Sequence, residues 1–214
     1  IRVEIGENVR GADVFVVQPT CSPANENLME LLILIDCLRR ASAGRVTAVI
    51  PYYGYARKDR KDAGRVPITA KLVANLITTA GAERVLTIDL HADQIQGFFD
   101  IPVDHLLAWV VFVPYFVRLG ITDLVVVSPD VGSVKQARAY AKKLGGELAV
   151  VDKRRDSPTS VTTMHLIGDV RNKNVIIVDD IISTASSITE ACKLIKDRGA
   201  RDIYMCATHP VLCD

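Results

Sequence analysis

Two adjacent carboxylates, Asp179 and Asp180, follow an apolar β-branched run, Val175–Val178, and precede a hydroxyl-rich turn carrying Ser183, Thr184, Ser186 and Ser187. The run predicts a buried strand, and Ile188–Arg198 predicts a helix. Strand, acids, small-residue turn and helix amino end together suit a sugar phosphate. The N–H groups and hydroxyls of the turn would meet the phosphate, whose charge the helix dipole favours. The acids would hold sugar hydroxyls or Mg²⁺. An ordinary strand-to-helix turn with an acidic cap has the same composition, and this stretch alone leaves both readings open.

Further clusters point the same way. In Tyr52–Arg65, the cations Arg57, Lys58, Arg60, Lys61 and Arg65 alternate with Asp59 and Asp62, after the rings of Tyr52, Tyr53 and Tyr55. Such a loop suits a nucleotide, with rings or guanidinium planes on the base and cations on the phosphates; a solvated mixed-charge loop has the same pattern. No Walker-type or G-x-G-x-x-G motif occurs, so a nucleotide would bind without either. Asp89-Leu90-His91 closes a predicted strand, where alternate residues share a face and would aim Asp89 and His91 together. Asp100, Asp104 and Asp130 add oxygen donors, and an oxygen-rich set with one imidazole suits Mg²⁺ better than zinc. A lone structural histidine is the alternative for His91. Lys153-Arg154-Arg155 follows another predicted strand, on a loop before the polar segment Asp156–Thr163. Cations there suit closure over transferring phosphates, or a basic surface turn. Cys21 lacks a convincing base partner, and His209 is given no role.

These residues need elements to position them. Strand-like runs occur at Asp13–Gln18, Val46–Tyr53, Val85–Leu90, Leu124–Ser128, Leu148–Val151, Val175–Val178 and Ile203–Ala207. Helical periodicity occupies Asn27–Arg40, Thr69–Ala80, Val134–Leu144 and Ile188–Arg198, with Gly44, Gly81, Gly145 and Gly199 as stop signals. The alternation predicts parallel α/β layers, with ligands beyond the carboxyl ends of the strands. Asp104–Leu119 reads as a seam between two halves. With 214 residues, 49% hydrophobic, 24% charged and a net charge of +1, nothing global recruits nucleic acid or an anionic membrane. The apolar runs Leu28–Leu38 and Val110–Val117 fall short of the roughly 20 residues a membrane span needs. Five cysteines without a C-x-x-C pair predict buried thiols in a reducing cytoplasm rather than a zinc site or disulfide framework. Ile1–Ile5 already alternates like a strand and Ala207–Asp214 stops just after one; both ends are expected to be cut from a longer chain.

Through NVRGADVFVVQPTCSPANENLMELL, RVTAVIPYYGYARKDRKD, VLTIDLHADQIQGFF, LVVVSPDVGSVK, VVDKRR, VIIVDDIISTASS and ATHPVL, nearly the whole chain resembles the ribose-phosphate pyrophosphokinase (phosphoribosyl-pyrophosphate synthetase) family. The resemblance implies an α/β fold of two phosphoribosyltransferase-like domains with mainly parallel sheets, both incomplete, at 1–106 and 107–214, and an active site between them. It implies Mg²⁺-dependent transfer of the diphosphoryl group of ATP to the 1-hydroxyl of ribose 5-phosphate, yielding 5-phosphoribosyl 1-pyrophosphate and AMP, by a cytoplasmic homo-oligomer built on hexamers. By the same resemblance Arg57, Lys58, Arg60, Asp62 and His91 bind ATP, while Lys153, Arg155 and His91 are catalytic. Asp130, Asp179, Asp180 and the loop Ser183, Thr184, Ala185, Ser186 and Ser187 bind ribose 5-phosphate, and Asp89, His91, Asp100, Asp104 and Asp130 are the metal ligands.

The chain departs from the family pattern at several positions. Lys58 stands for a glutamine, Ser183 for an acid, Ser186 and Ser133 for glycines, and Asp93 for a small residue. A serine in place of glycine disfavours positive φ, so sugar-phosphate binding is expected to survive these changes better than turnover. Two alternatives stay open here. One is a non-catalytic homologue that binds or regulates an active synthetase. The other is a salvage phosphoribosyltransferase, which would not need the YARKDRKD loop.

Overall fold

The computed structural model describes residues 1–154 and 163–213, which divide into two units, Ile1–Leu107 and Ala108–Asp214. The sequence pattern sets this division after residue 106.

In the first unit the described residues form a parallel four-stranded sheet in chain order, β1 (Asp13–Val17), β2 (Arg45–Ile50), β3 (Arg84–Ile88) and β4 (Val103–Leu106). Helices α1 (Ala24–Arg40) and α2 (Thr69–Ala80) make the crossovers, and chain-order strands with right-handed crossovers bring both to one face. α1 buries Leu28, Leu31, Ile35 and Leu38; α2 buries Ala70, Val73, Ala74 and Ile77. That spacing is the helical stripe the sequence shows. The stripe packs on Val46, Ala48, Ile50 and Val85 of the sheet. Phe15 and Val17, on the edge strand β1, stay 58% and 64% exposed.

β2 stops at Ile50 rather than at Tyr53 because Pro51 has no N–H for the ladder. β3 stops at Ile88, since Asp89 takes φ 38° and turns the chain. A short 3-10 helix, Asp93–Phe98, then occupies the polar HADQIQ stretch.

In the second unit, β5 (Leu124–Ser128), β6 (Glu147–Arg154), β7 (Thr163–Ile167), β8 (Asn174–Ile182) and β9 (Ile203–Pro210) form one sheet ordered β7-β6-β5-β8-β9. All neighbours are parallel except β6 and β7. Helices α3 (Trp109–Arg118) and α4 (Val134–Leu144) pack Phe116, Ala137 and Tyr140 against Ile176 and Val178. α5 (Ser186–Asp197) covers the other face, packing Ala191 and Ile195 with Val125, Val175 and Ile177. The chain leaves β5 toward β6 on one side and β8 toward β9 on the other. The order therefore reverses between β5 and β8, the switch point at which such folds bind ligands.

The division falls inside the seam expected at residues 104–119, which also holds the end of β4 and all of α3. β8 and β9 also outrun their predicted ends: they pair with each other through Ile182 and Pro210, whereas β8 pairs with β5 only as far as Ile177.

The basic loop of the first unit is anchored at its start. Thr20 Oγ1 accepts the Gly54 N–H at 2.6 Å and donates to the Tyr52 carbonyl at 3.0 Å. A Cβ on Gly54 would lie 2.4 Å from the Thr20 carbonyl oxygen, a backbone atom that cannot swing aside. Gly54→Ala is therefore expected to cost about 1–3 kcal/mol, read as a lowered urea midpoint with an unchanged slope.

Candidate functional site: a sugar-phosphate cradle and a basic loop

At the switch point the carboxyl ends of β5 and β8 bring Asp130, Asp179 and Asp180 into one neighbourhood. Asp130 follows Ser128 and Pro129 in the turn before α4, and its Oδ1 accepts the Ser133 N–H at 2.9 Å. Ser128 Oγ donates to the Asp130 carbonyl at 2.7 Å and holds that turn. Asp179 and Asp180 lie within β8, on the stretch that β9 supports beyond β5, rather than in the turn. Asp179 Oδ1 accepts the Asp180 N–H at 3.0 Å and the Ser133 hydroxyl at 3.1 Å. Burial, then the neighbouring Asp180 and Asp130 carboxyls, push the Asp179 carboxyl up to about 7.

Residues 183–187 close this cradle. Ala185 holds φ 60°, and α5 begins at Ser186; among the described residues no side chain caps its amino end. Its first N–H groups are thus free of side-chain acceptors and face the same end of the sheet as the acids. Thr184 Oγ1 and Ser186 Oγ share a hydrogen bond of 2.9 Å, and Ser183 Oγ lies 3.0 Å from Cys213 Sγ. The left-handed position is therefore Ala185, and Ser186 is an ordinary first helical residue. The strain expected at Ser186 is absent there and falls one residue earlier. Ser133 likewise sits at φ −87°, without strain.

Lys153 belongs to β6, not to a loop after it, and its ammonium lies 3.7 Å from Glu190 of α5. Arg155 lies outside the described residues.

In the first unit, Arg57, Lys58, Arg60 and Asp62 lie on the exposed loop between β2 and α2. Lys58 pairs with Asp62 at 3.4 Å. Asp59 accepts the Gln94 amide at 2.9 Å, which ties this loop to the segment that carries His91. Tyr53 is not available to a base: it is buried, stacks edge-on against Phe99 and donates to the Ala70 carbonyl. Burial raises its phenol well above its usual range.

The proposed metal set does not gather. Among the described residues no three His, Cys, Asp or Glu side chains are grouped to hold an ion. Asp104 sits near the amino end of β4 with both oxygens held by Arg84, which also keeps its carboxyl below the usual range. Asp100 is 87% exposed before the same strand, 4.0 Å from Lys71. Because β3 ends at Ile88, the alternation that would aim Asp89 and His91 together does not apply. Three further participants are not legible as such in the sequence. Ser133 counted as a departure, although the spacing Asp130–Ser133 is that of an Asx-type helix start. His105 Nε2 accepts the Leu90 N–H at 2.9 Å and shapes the His91 segment; burial lowers its pKa. Glu190 carried no signal, because its partner Lys153 is distant in sequence.

Fold and site define a phosphoribosyltransferase-like α/β protein with two adjacent acids at the end of a strand and a hydroxyl-rich turn after them. Residues 1–81 match the N-terminal domain of ribose phosphate pyrophosphokinase, and residues 91–212 match the phosphoribosyl transferase domain. The chain is 60% identical to ribose-phosphate pyrophosphokinase of Clostridium perfringens, over 99% of this chain and 67% of the relative. It is 58% identical to that of Thermosipho africanus, over 100% and 68%. The crystal structure of phosphoribosylpyrophosphate synthetase from Mycobacterium smegmatis superposes with a TM-score of 0.92 at 47% identity, covering 99% of this chain and 69% of that one. The chain belongs to the ribose-phosphate pyrophosphokinase family, and spans about two thirds of the length of these relatives. Among the described residues no helix is long and apolar enough to cross a membrane.

The raised proton affinity of the Asp179 carboxyl makes stability depend on pH. Its folded value of about 7 exceeds the unfolded 3.8, so the folded state binds this proton more tightly. The contribution is fully present below about pH 4 and is lost as pH rises through 7. Asp179→Asn removes the titration yet keeps an oxygen acceptor. Its thermal midpoint relative to wild type is expected to climb between pH 5 and pH 8, measured by circular dichroism.

Proposed function

We infer that the protein transfers the diphosphoryl group of ATP to the 1-hydroxyl of ribose 5-phosphate, giving 5-phosphoribosyl 1-pyrophosphate and AMP. One observation carries this reading. In a chain of this family, three carboxylates and the uncapped amino end of α5 converge at the β5–β8 switch point. Asp179 and Asp180 would accept hydrogen bonds from the ribose hydroxyls, with Asp130 beside them. Residues 183–187 would hold the 5-phosphate through N–H groups and hydroxyls, where the α5 dipole favours the charge. Arg57, Lys58, Arg60 and Asp62 would engage ATP, with His91 toward its phosphates.

In the reaction the sugar O1 bonds to the β-phosphorus, the bond from that phosphorus to the bridging oxygen breaks, and AMP leaves with that oxygen. The hydroxyl proton passes to solvent. Such a transfer asks the protein for alignment and charge neutralisation rather than covalent chemistry. Lys153, on a strand rather than a free loop, would offer its ammonium to the transferring group, with Glu190 keeping it in place in the ground state. Among the described residues no set of three such side chains is arranged to cage an ion, which fits Mg²⁺ held largely through phosphate oxygens and water. Asp89 and His91 of the first unit are the protein partners we propose for it; Asp104, clamped by Arg84, does not fit. When bound, Mg²⁺ neutralises phosphate charge.

We also propose a homo-oligomer in the cytoplasm. Val110, Val111 and Val117 of α3 are 59%, 70% and 62% exposed, an apolar face that assembly would cover, and the cysteines are free thiols. Light scattering should give a multiple of the 23.4 kDa chain mass; a monomer would count against it.

AMP should form from ATP only when ribose 5-phosphate and Mg²⁺ are both present, as read by chromatography; no AMP above background overturns the reading. Lys153→Ala should lower kcat roughly 100-fold, the scale of one lost transition-state contact. A rise in KM with kcat unchanged would refute that role.

A further inference from the structure

Ser133 joins the two sides of the switch point. Its backbone N–H donates to Asp130 Oδ1 at 2.9 Å, and its hydroxyl donates to Asp179 Oδ1 at 3.1 Å. The first bond closes the turn after β5, and the second crosses to the far end of β8. Its backbone at φ −87°, ψ 4° suits any residue, so a serine is not required for the turn itself. Any residue except proline supplies the N–H. Glycine and alanine would keep the turn closed but leave Asp179 without the hydroxyl donor. The Asp180 N–H would still reach Asp179 Oδ1, yet it comes from the same strand and does not tie that strand to the β5–α4 turn.

We propose that Ser133 is a positioning residue: through its hydroxyl it holds the Asp179 carboxylate in register with Asp130, and so sets the affinity for the sugar hydroxyls. This deepens the proposed function and rests on its assignment of Asp179 to ribose. The bond belongs to the protein before any ligand arrives. Losing it therefore weakens ground-state and transition-state binding alike, raising KM rather than lowering kcat. A hydrogen bond to a charged group of this kind corresponds to about a tenfold change in affinity. ATP does not touch Asp179 in this scheme and reports on the rest of the fold.

The test is calorimetric titration of ribose 5-phosphate, with ATP as the control ligand, into the wild-type chain and its Ser133→Ala, Ser133→Gly and Ser133→Thr variants. Ser133→Ala and Ser133→Gly should weaken ribose 5-phosphate about tenfold, leave ATP unchanged, and be rescued by Ser133→Thr, which keeps a hydroxyl. Equal affinity in wild type and Ser133→Ala overturns the inference and leaves the proposed function standing. A Ser133→Thr chain as weak as Ser133→Ala also overturns it, since the hydroxyl would then not be the cause. A wild-type chain that binds no ribose 5-phosphate overturns the proposed function and this inference together. A second measurement needs no ligand. Ser133→Ala and Asp179→Ala should be non-additive in urea midpoint if the bond couples the two elements, and additivity overturns the proposal.

Discussion

The parallel pairing of β5 with β8 is the constraint from which the site follows. Parallel strands need crossovers, and here the crossovers from β5 and β8 run in opposite directions, α4 on one face and α5 on the other. The two crossovers diverge from the carboxyl ends of this one pair and leave an opening between them. The chain uses that opening twice. The turn after β5 brings Asp130, and β8, extended by its pairing with β9, carries Asp179 and Asp180 past the sheet edge. Hydrophobic burial of Val175–Val178 fixes how far the acids project, because those four side chains are wholly buried on both faces.

Electrostatics at this point are a balance between opposed requirements. Three carboxylates close together repel, and partial burial raises the cost of ionising Asp179. A ligand that supplies hydroxyl donors, or a cation nearby, relieves both. The donors already present, Ser133 and the Asp180 N–H, hold the carboxylate in place without neutralising it. The amino end of α5 supplies the opposite sign a short distance away, so one small region offers both hydrogen-bond acceptors and a positive helix end.

Elsewhere the same chemistry is spent on structure. Arg84 clamps Asp104, Arg201 pairs with Asp123, and Lys173 pairs with Glu147 at 2.6 Å. These pairs lie toward the amino ends of strands, away from the end that carries Asp130, Asp179 and Asp180. An acid is thus a site residue or a clamp according to which end of its strand it occupies.

Much was legible in the residues themselves. Strand and helix periodicity marked most elements, and VIIVDDIISTASS marked a strand, acids, turn and helix in order, because these signals are local. Element ends were less legible: β4, β7, α3 and the 3-10 helix were missed, and β8 proved longer, since length depends on a partner strand. The sequence by itself determined the α/β class, the family resemblance and the cradle's composition. Only the tertiary structure decided that Asp104 belongs to Arg84, that Tyr53 is core, that Ala185 rather than Ser186 takes the left-handed turn, and that Ser133 binds Asp179. Those outcomes depend on strand register and on pairs far apart in the chain, which no local pattern encodes.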